Sequence, residues 1–392
     1  MEHPNFVCVI NGKRDGYQVP VALHEAGLLA RFVTDYYAPD RPPRWLPGAL
    51  AQRRHPALPQ AMTCSSLAGM ALQYGMPRLG VPMPRVVRHT DPWLAEKAMR
   101  QARHLGAHLY CYSSYIPAGS LPAGMKLVDF EYHPLAGLSL ELLRADAAQY
   151  PETAWSFANE LRLAEAERDD EGWKRADAIA CASQMTARSL VLAGCEPERI
   201  TVIPYGFEPA GCPPARPQGG AARFLFVGQG VQRKGVHHLL RAWRGVDPAR
   251  ARLTLVCYHI DPAMAELARQ PGVELLGRQE RATLDALMRA SDVFILPSLI
   301  EGFGLVYLEA LAAGCHVVGT PNTGLPDLPL SDGARTLVPA GDIPALGEAI
   351  EALIRRHAAG GFDVPTIAAE AGRWTWADFR ARIAAHARAA LG

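Results

Sequence analysis

The chain has 392 residues, 49% of them hydrophobic and 20% charged, with a formal net charge of +1. That length exceeds one ordinary hydrophobic core and predicts two domains with a cleft between them. A composition this balanced excludes a disordered chain and the strongly basic surface of a nucleic-acid binder.

In chain order, residues 6–10 (Phe-Val-Cys-Val-Ile) predict a buried strand directly at the start, where a secretory leader would show a cationic stretch, an apolar stretch and a cleavage site. A glycine-containing loop, Asn11-Gly-Lys-Arg-Asp-Gly16, follows, and residues 29–34 read as the next strand. Residues 41–84 are rich in proline and arginine with weak periodicity, which predicts irregular structure or short helices inserted in the first domain. Further short apolar runs at 127–130, 178–182, 200–203, 224–227, 253–257, 293–296 and 316–319 read as strands with helix-like stretches between them. That alternation is the pattern of parallel, doubly wound α/β sheets used twice. The prolines and glycines between Glu208 and Gly220 suit neither helix nor central strand and mark the domain boundary. Nowhere is there a run of about 18 apolar residues able to cross a bilayer. The eight cysteines, Cys212 among them, show no C-x-x-C pair and no zinc-ligand spacing, as expected of reduced cytosolic thiols, so no metal centre is predicted.

Two segments carry the chemistry. In the first, the strand at 293–296 breaks at Pro297, passes through Ser-Leu-Ile-Glu301-Gly302-Phe303-Gly304, and enters a helix near Leu305 that carries Glu309. Open parallel sheets bind ligands beyond the carboxyl ends of their strands, and free amides at a helix start attract phosphate or sugar oxygens. The spacing predicts both carboxylates facing one crevice; the plainer reading makes Glu301 a complement to the helix dipole and Glu309 a solvated helix residue. In the second segment, the strand at 224–227 leads into Gly228-Gln-Gly-Val-Gln-Arg233-Lys234-Gly and then a helix. Gly228 and Gly230 would let backbone approach a ligand, and Arg233 and Lys234 would offset the charge of two phosphates. The loop has neither the Gly-Lys-Ser/Thr of a phosphate-binding loop nor the G-x-G-x-x-G of a dinucleotide fold, and two solvated cations remain the alternative.

Taken together, these residues resemble glycosyltransferase family 4, retaining enzymes with the GT-B fold of two facing Rossmann-like domains. Glu301 and Glu309 match its pair of glutamates, Glu301-Gly-Phe-Gly304 its local context, and residues 224–235 its strand and cationic loop; the similarity runs from about Glu160 to Asp342. The resemblance implies a first, acceptor-side domain over 1–207, a linker over 208–220, a donor-binding domain over 221–372, and a helix over 373–392 crossing back to the first domain. It implies that Glu309 holds the donor ribose, that Glu301 with Gly302 and the amides of Phe303, Gly304 and Leu305 holds the sugar, and that Arg233 and Lys234 clamp the diphosphate. The base is expected near Gly277-Arg278-Gln279. Gly12 and Gly228 fall where the family lines the donor cleft, and His133 where it places a catalytic histidine, although a lone histidine is equally well structural. Tyr205 replaces a frequent Asn, and Thr323-Gly324-Leu325 a frequent Gly-Gly, and both departures bear on which sugar is taken.

The implied reaction moves a sugar from a UDP- or GDP-sugar to an acceptor hydroxyl, with the charge building on the leaving phosphate stabilised by Arg233 and Lys234 and with no cofactor. The product would belong to cell-surface polysaccharide, glycolipid or glycoconjugate synthesis. Three alternatives stand beside it: a phosphorylase-like or epimerase-like use of the same fold, an inactive nucleotide-sugar binder, and a metal-dependent transferase using Asp129 and Glu131 as a cation site. The expected location is cytoplasmic. Residues 41–104 hold ten Lys/Arg against two acids, Asp91 and Glu96, a net of +8. Such a segment fits either a peripheral contact with an anionic membrane or phosphorylated acceptor, aided by Trp45, Leu46, Leu50, Trp93 and Leu94, or a solvated face with scattered pairs.

Overall fold

The computed structural model describes residues 5–44, 46–65, 67–81, 83–166, 171–208, 211, 213, 216 and 219–392. Trp45, Cys212 and most of the proline-rich boundary lie outside the described residues.

The first seven strands are β1 (Phe6–Val9), β2 (Leu29–Val33), β3 (Thr63–Cys64), β4 (His108–Tyr112), β5 (Leu127–Glu131), β6 (Ala178–Cys181) and β7 (Ile200–Val202). They form one sheet in the order β3-β2-β1-β4-β5-β6-β7, every neighbour parallel. The next six are β8 (Ala222–Val227), β9 (Ala251–Val256), β10 (Val273–Leu276), β11 (Val293–Ile295), β12 (His316–Gly319) and β13 (Arg335–Leu337). Their sheet runs β10-β9-β8-β11-β12-β13, again parallel throughout. Helices cover both faces of such sheets, so the central strands read as unbroken apolar runs: β1 and β11 are buried at every residue.

Four strands escape the sequence reading. Three of them, β3, β10 and β13, are the outer strands of their sheets and are half solvated, so Thr-Cys, Val-Glu-Leu-Leu and Arg-Thr-Leu carry no continuous apolar signal. The fourth, β4, is central and wholly buried, but His-Leu-Tyr-Cys-Tyr hides behind polar atoms. Residues 41–84 do form irregular structure with short helical turns, among them Gly48–Ala51 and Gln60–Met62, and they also contribute β3.

The last helix, Trp376–Leu391, returns to the first domain. Arg380 bonds Glu25 and Gln18 at 2.8 Å each, and Phe379 packs on Phe130 and Tyr205. Where the chain crosses, Phe207 bridges Thr375, and a side chain at Gly206 would overlap the Thr375 carbonyl, so only glycine lets the two backbone segments meet.

The basic segment is corrected in part. Arg53 is buried and bidentate to Asp35, and Arg54 pairs with Asp40. Leu46 and Leu94 are core residues rather than interfacial ones. Arg41, Arg44, Arg78, Arg85, Arg88, Arg100 and Arg103 are exposed, as is Leu79, 80% accessible beside Arg78. Among the described residues no helix is long and apolar enough to cross a membrane. The seven cysteines among the described residues are free thiols, all buried except the half-buried Cys64.

Candidate functional site

A cavity of about 660 Å³ opens between the sheets, lined by Ser113, Glu131, Tyr132 and His133 from the first domain and by Gln229, Arg233, Glu301 and Gly302 from the second. Two loops at the carboxyl ends of β8 and β11 build the second wall. After β8 the chain makes a turn at Gln232–Lys234, and Gly235, at φ +67°, launches the next helix. A side chain at Gly235 would overlap the Pro297 carbonyl, which welds this turn to the loop after β11; Leu299 N–H donates to the Arg233 carbonyl at 2.9 Å. The β11 loop is held by Glu301 N–H donating to the Asn322 carbonyl at 2.9 Å, and Gly304, at φ +89°, starts the helix Leu305–Ala312.

This scaffold brings Glu301 onto both predicted cations. Its Oε2 lies 3.2 Å from Arg233 Nη1 and accepts a short hydrogen bond from Lys234 Nζ. Burial acts to raise the Glu301 pKa, but Lys234, Arg233 and neighbouring His133 outweigh it and hold it down at about 2. At Lys234 desolvation wins instead, lowering its pKa against the pull of Glu301. Across the cleft, Glu160 stands 3.6 Å from Arg233 Nε.

Gly302 presses against the opposite domain: a Cβ there would overlap the Tyr132 carbonyl and come within 3.1 Å of His133 Nδ1. His133 is exposed to the cleft but walled on both sides. Desolvation, then the positive charge of Arg233, pushes its pKa down to about 3, so the ring stays neutral near pH 7. Arg14 stacks 4.1 Å over the Tyr132 ring.

Not every predicted residue joins this group. Glu309 does not line the cavity; it bonds Arg281 at 2.7 Å, so the two carboxylates have separate partners instead of facing one crevice. Arg278 is exposed just beyond β10. Phe303 and Leu305 flank Gly304 behind the lining, and Phe303 fills the place a Gly324 side chain would take. Gly230 serves internal packing, since a Cβ there would strike Ile260, whereas Gly228 has only Phe226 beside it and pairs its N–H with the Val256 carbonyl. Gly12 turns the first loop at φ +76° and donates its N–H to Asp35. Asp129 is fully buried, and burial together with Glu131 raises its pKa well above the carboxylate range.

The sequence reading missed a buried knot beneath the site. Tyr205 Oη donates to Asp15 Oδ2 at 2.7 Å and Tyr112 Oη to the same oxygen at 3.3 Å, while Tyr205 also stacks edge-on with Phe303. Asp15 and Tyr17 hold positive φ of 47° and 68°, conformations that surrounding contacts must enforce. The sequence marked a glycine-containing loop here, but nothing local marked the tyrosines that reach it.

Residues 221–356, in the second domain, match the family model described as Glycosyl transferases group 1. The chain is 30% identical over 191 residues to a glycogen synthase of Mycobacterium tuberculosis, covering 46% of each chain. It is 26% identical over 205 residues to the putative colanic acid biosynthesis glycosyltransferase WcaL of Escherichia coli, covering 46% of this chain and 48% of the relative. The chain thus spans about half the length of these relatives. Among solved structures, a sucrose-phosphate synthase from Thermosynechococcus elongatus superposes with a TM-score of 0.66 at 18% identity over 98% of both chains. Anabaena Alr3699/HepE, solved with UDP and glucose, gives 0.61 at 16% identity over 99% of this chain and all of that one. The fold is GT-B.

Proposed function

We propose that the chain is a retaining glycosyltransferase that moves a sugar from a UDP- or GDP-sugar to an acceptor hydroxyl without a metal. The observation that carries this reading is the convergence of Arg233, Lys234 and Glu301 at the carboxyl ends of β8 and β11, facing His133 across the cavity. The group 1 relatives and the UDP-bound GT-B neighbour support it.

In this reading Arg233 and Lys234 take the diphosphate, whose oxygens compete with Glu301 for the two cations and free that carboxylate for sugar hydroxyls. The bond from the anomeric carbon to the diphosphate oxygen breaks, the acceptor oxygen bonds to that carbon, and the acceptor proton passes to the departing phosphate. Negative charge grows on the leaving group where the cations already stand, so little reorganisation opposes it. Neutral His133 hydrogen-bonds the sugar without adding positive charge near the anomeric centre. Glu309, on the helix behind Gly304, holds the ribose once it exchanges Arg281 for the sugar hydroxyls.

The acceptor belongs to the first domain. Exposed Arg78 and Leu79 favour an anionic lipid neighbour, which co-sedimentation with anionic but not neutral vesicles at low salt would register. The function itself is tested by incubating the EDTA-treated protein with UDP-, GDP- and ADP-sugars and measuring nucleotide release and thermal midpoint. Release from one donor in EDTA is expected. A midpoint shift without release would mark an inactive binder, and release only after Mg²⁺ or Mn²⁺ would overturn the metal-independent mechanism.

A further inference from the structure

On the far side of the cationic turn from Glu301, side chains of both domains meet around one point. The helix Ala136–Gln149 supplies Asp146, and the helix Val236–Ala242 supplies His237 and His238. His237 Nε2 lies 3.0 Å from Asp146 Oδ2 and His238 Nε2 lies 2.8 Å from Oδ1, and the three ligand atoms fall within 4.8 Å of one another. All three residues are buried. Consecutive helix positions diverge by about 100°, yet both rings turn to one carboxylate, their centroids 3.8 Å apart, with Tyr150 edge-on to each.

Hydrogen bonding alone leaves this arrangement unexplained. The 2.8 Å contact of His238 is out of line for an N–H donor, and both nitrogens of that buried ring have no hydrogen-bond partner. A buried polar group left so is costly. A metal ion uses the ring lone pair and removes the mismatch at Nε2. Gln232 completes the setting: its Nε2 donates to Asp146 Oδ2 at 2.7 Å and to the Leu143 carbonyl at 2.8 Å, fixing the carboxylate as outer partners of metal ligands do. Tetrahedral zinc, with bonds of about 2.0–2.2 Å, separates its ligand atoms by roughly 3.3 Å, so the two histidine–carboxylate spacings of 3.0 and 2.8 Å need to open by only a few tenths of an ångström.

We propose that Asp146, His237 and His238 form a zinc-class divalent cation site, completed by water, whose ligands are divided between the two domains. Two imidazoles and a carboxylate suit zinc, and also cobalt as its spectroscopic substitute. Because Asp146 belongs to one domain and the histidines to the other, the ion binds only the arrangement in which the domains touch. It therefore favours that arrangement in proportion to its concentration. This site lies apart from the cavity, and its test does not depend on the transferase reading.

The full-length protein, stripped with EDTA and dialysed, is titrated with Co²⁺. One equivalent should bind with visible ligand-field absorption, Zn²⁺ should displace it, and the thermal midpoint should rise with Zn²⁺ concentration. His237→Gln and His238→Gln should each weaken binding at least about tenfold, and Gln232→Ala by about 10- to 100-fold. Absence of both the cobalt band and the zinc-dependent midpoint shift in the unmodified protein overturns the site, whatever the variants do. Co²⁺ affinity in both histidine variants equal to that of the unmodified protein overturns it as well, by placing the ion elsewhere.

Discussion

The two walls of the cavity are built differently. On the second-domain side, Arg233, Lys234 and Glu301 stand in short loops whose shape follows from neighbouring glycines: Gly235 and Gly304 adopt left-handed backbone, and Gly302 admits the opposite domain. On the first-domain side, Asp15 is clamped by Tyr112 and by Tyr205, 97 and 190 residues away, and Arg14 lies over Tyr132. One wall is written in local motifs, the other in long-range pairs. A local motif places a side chain by backbone geometry, whereas a long-range knot places it only after the whole sheet has formed.

The sharpest test of the motif-built wall is Lys234→Ala, expected to lower turnover by about 10²- to 10³-fold, as loss of one preorganised electrostatic group does. Nucleotide release at saturating donor measures it, and near-normal release would remove the diphosphate role. Next comes Gly302→Ala, whose methyl must displace the Tyr132 carbonyl and part the walls. A misplacement of about 1 Å can cost about 10²-fold in rate, so kcat should fall that far while nucleotide affinity, a second-domain property, holds; an unaffected kcat would mean that the walls need not touch.

Glu301 and Glu309 divide the same wall. Glu301→Ala should mainly slow transfer, whereas Glu309→Ala should weaken nucleotide binding about tenfold, in keeping with roughly 1.5 kcal/mol for a hydrogen bond to a charged group. Titration of each variant with nucleotide, beside its turnover, separates the two roles, and identical profiles would contradict the division. On the knot-built wall, Tyr205→Phe removes one hydrogen bond to half-buried Asp15 and should cost about 1 kcal/mol, read as a lower urea midpoint. A midpoint equal to that of the unmodified protein would show that the aromatic packing of Tyr205 alone sustains the knot.

The smallest effect concerns pH. His133 has a folded pKa of about 3 against an ordinary 6.5, so below pH 6.5 the unfolded chain takes up a proton that the folded one refuses, and stability falls as pH drops towards 3. Glu301, at about 2 against 4.5, adds to the same decline only below pH 4.5. Buried His316 and His386, both near 4, act in the same direction as His133, so the readout is a difference. Between pH 6.5 and 4.5 the midpoint of His133→Gln should fall less steeply than that of the unmodified protein. Parallel curves would mean that His133 titrates freely in the cleft.

The amino-acid sequence by itself determined the α/β class, nine of the thirteen strands, and the two loops that carry Arg233, Lys234 and Glu301, because apolar runs and glycine-bounded turns act over a few residues. It did not determine that Glu309 turns to Arg281, that Leu46 and Leu94 enter the core, or that Arg53 is neutralised by Asp35. Those outcomes depend on which surfaces the packed sheets bring together. The edge strands β3, β10 and β13 belong to the same category, since a half-solvated strand is defined by its neighbour more than by its own residues. So does the meeting of Asp146 with His237 and His238: an ordinary carboxylate and two adjacent histidines at least 91 positions further on, across the domain boundary, acquire a shared environment only when the two domains close on each other.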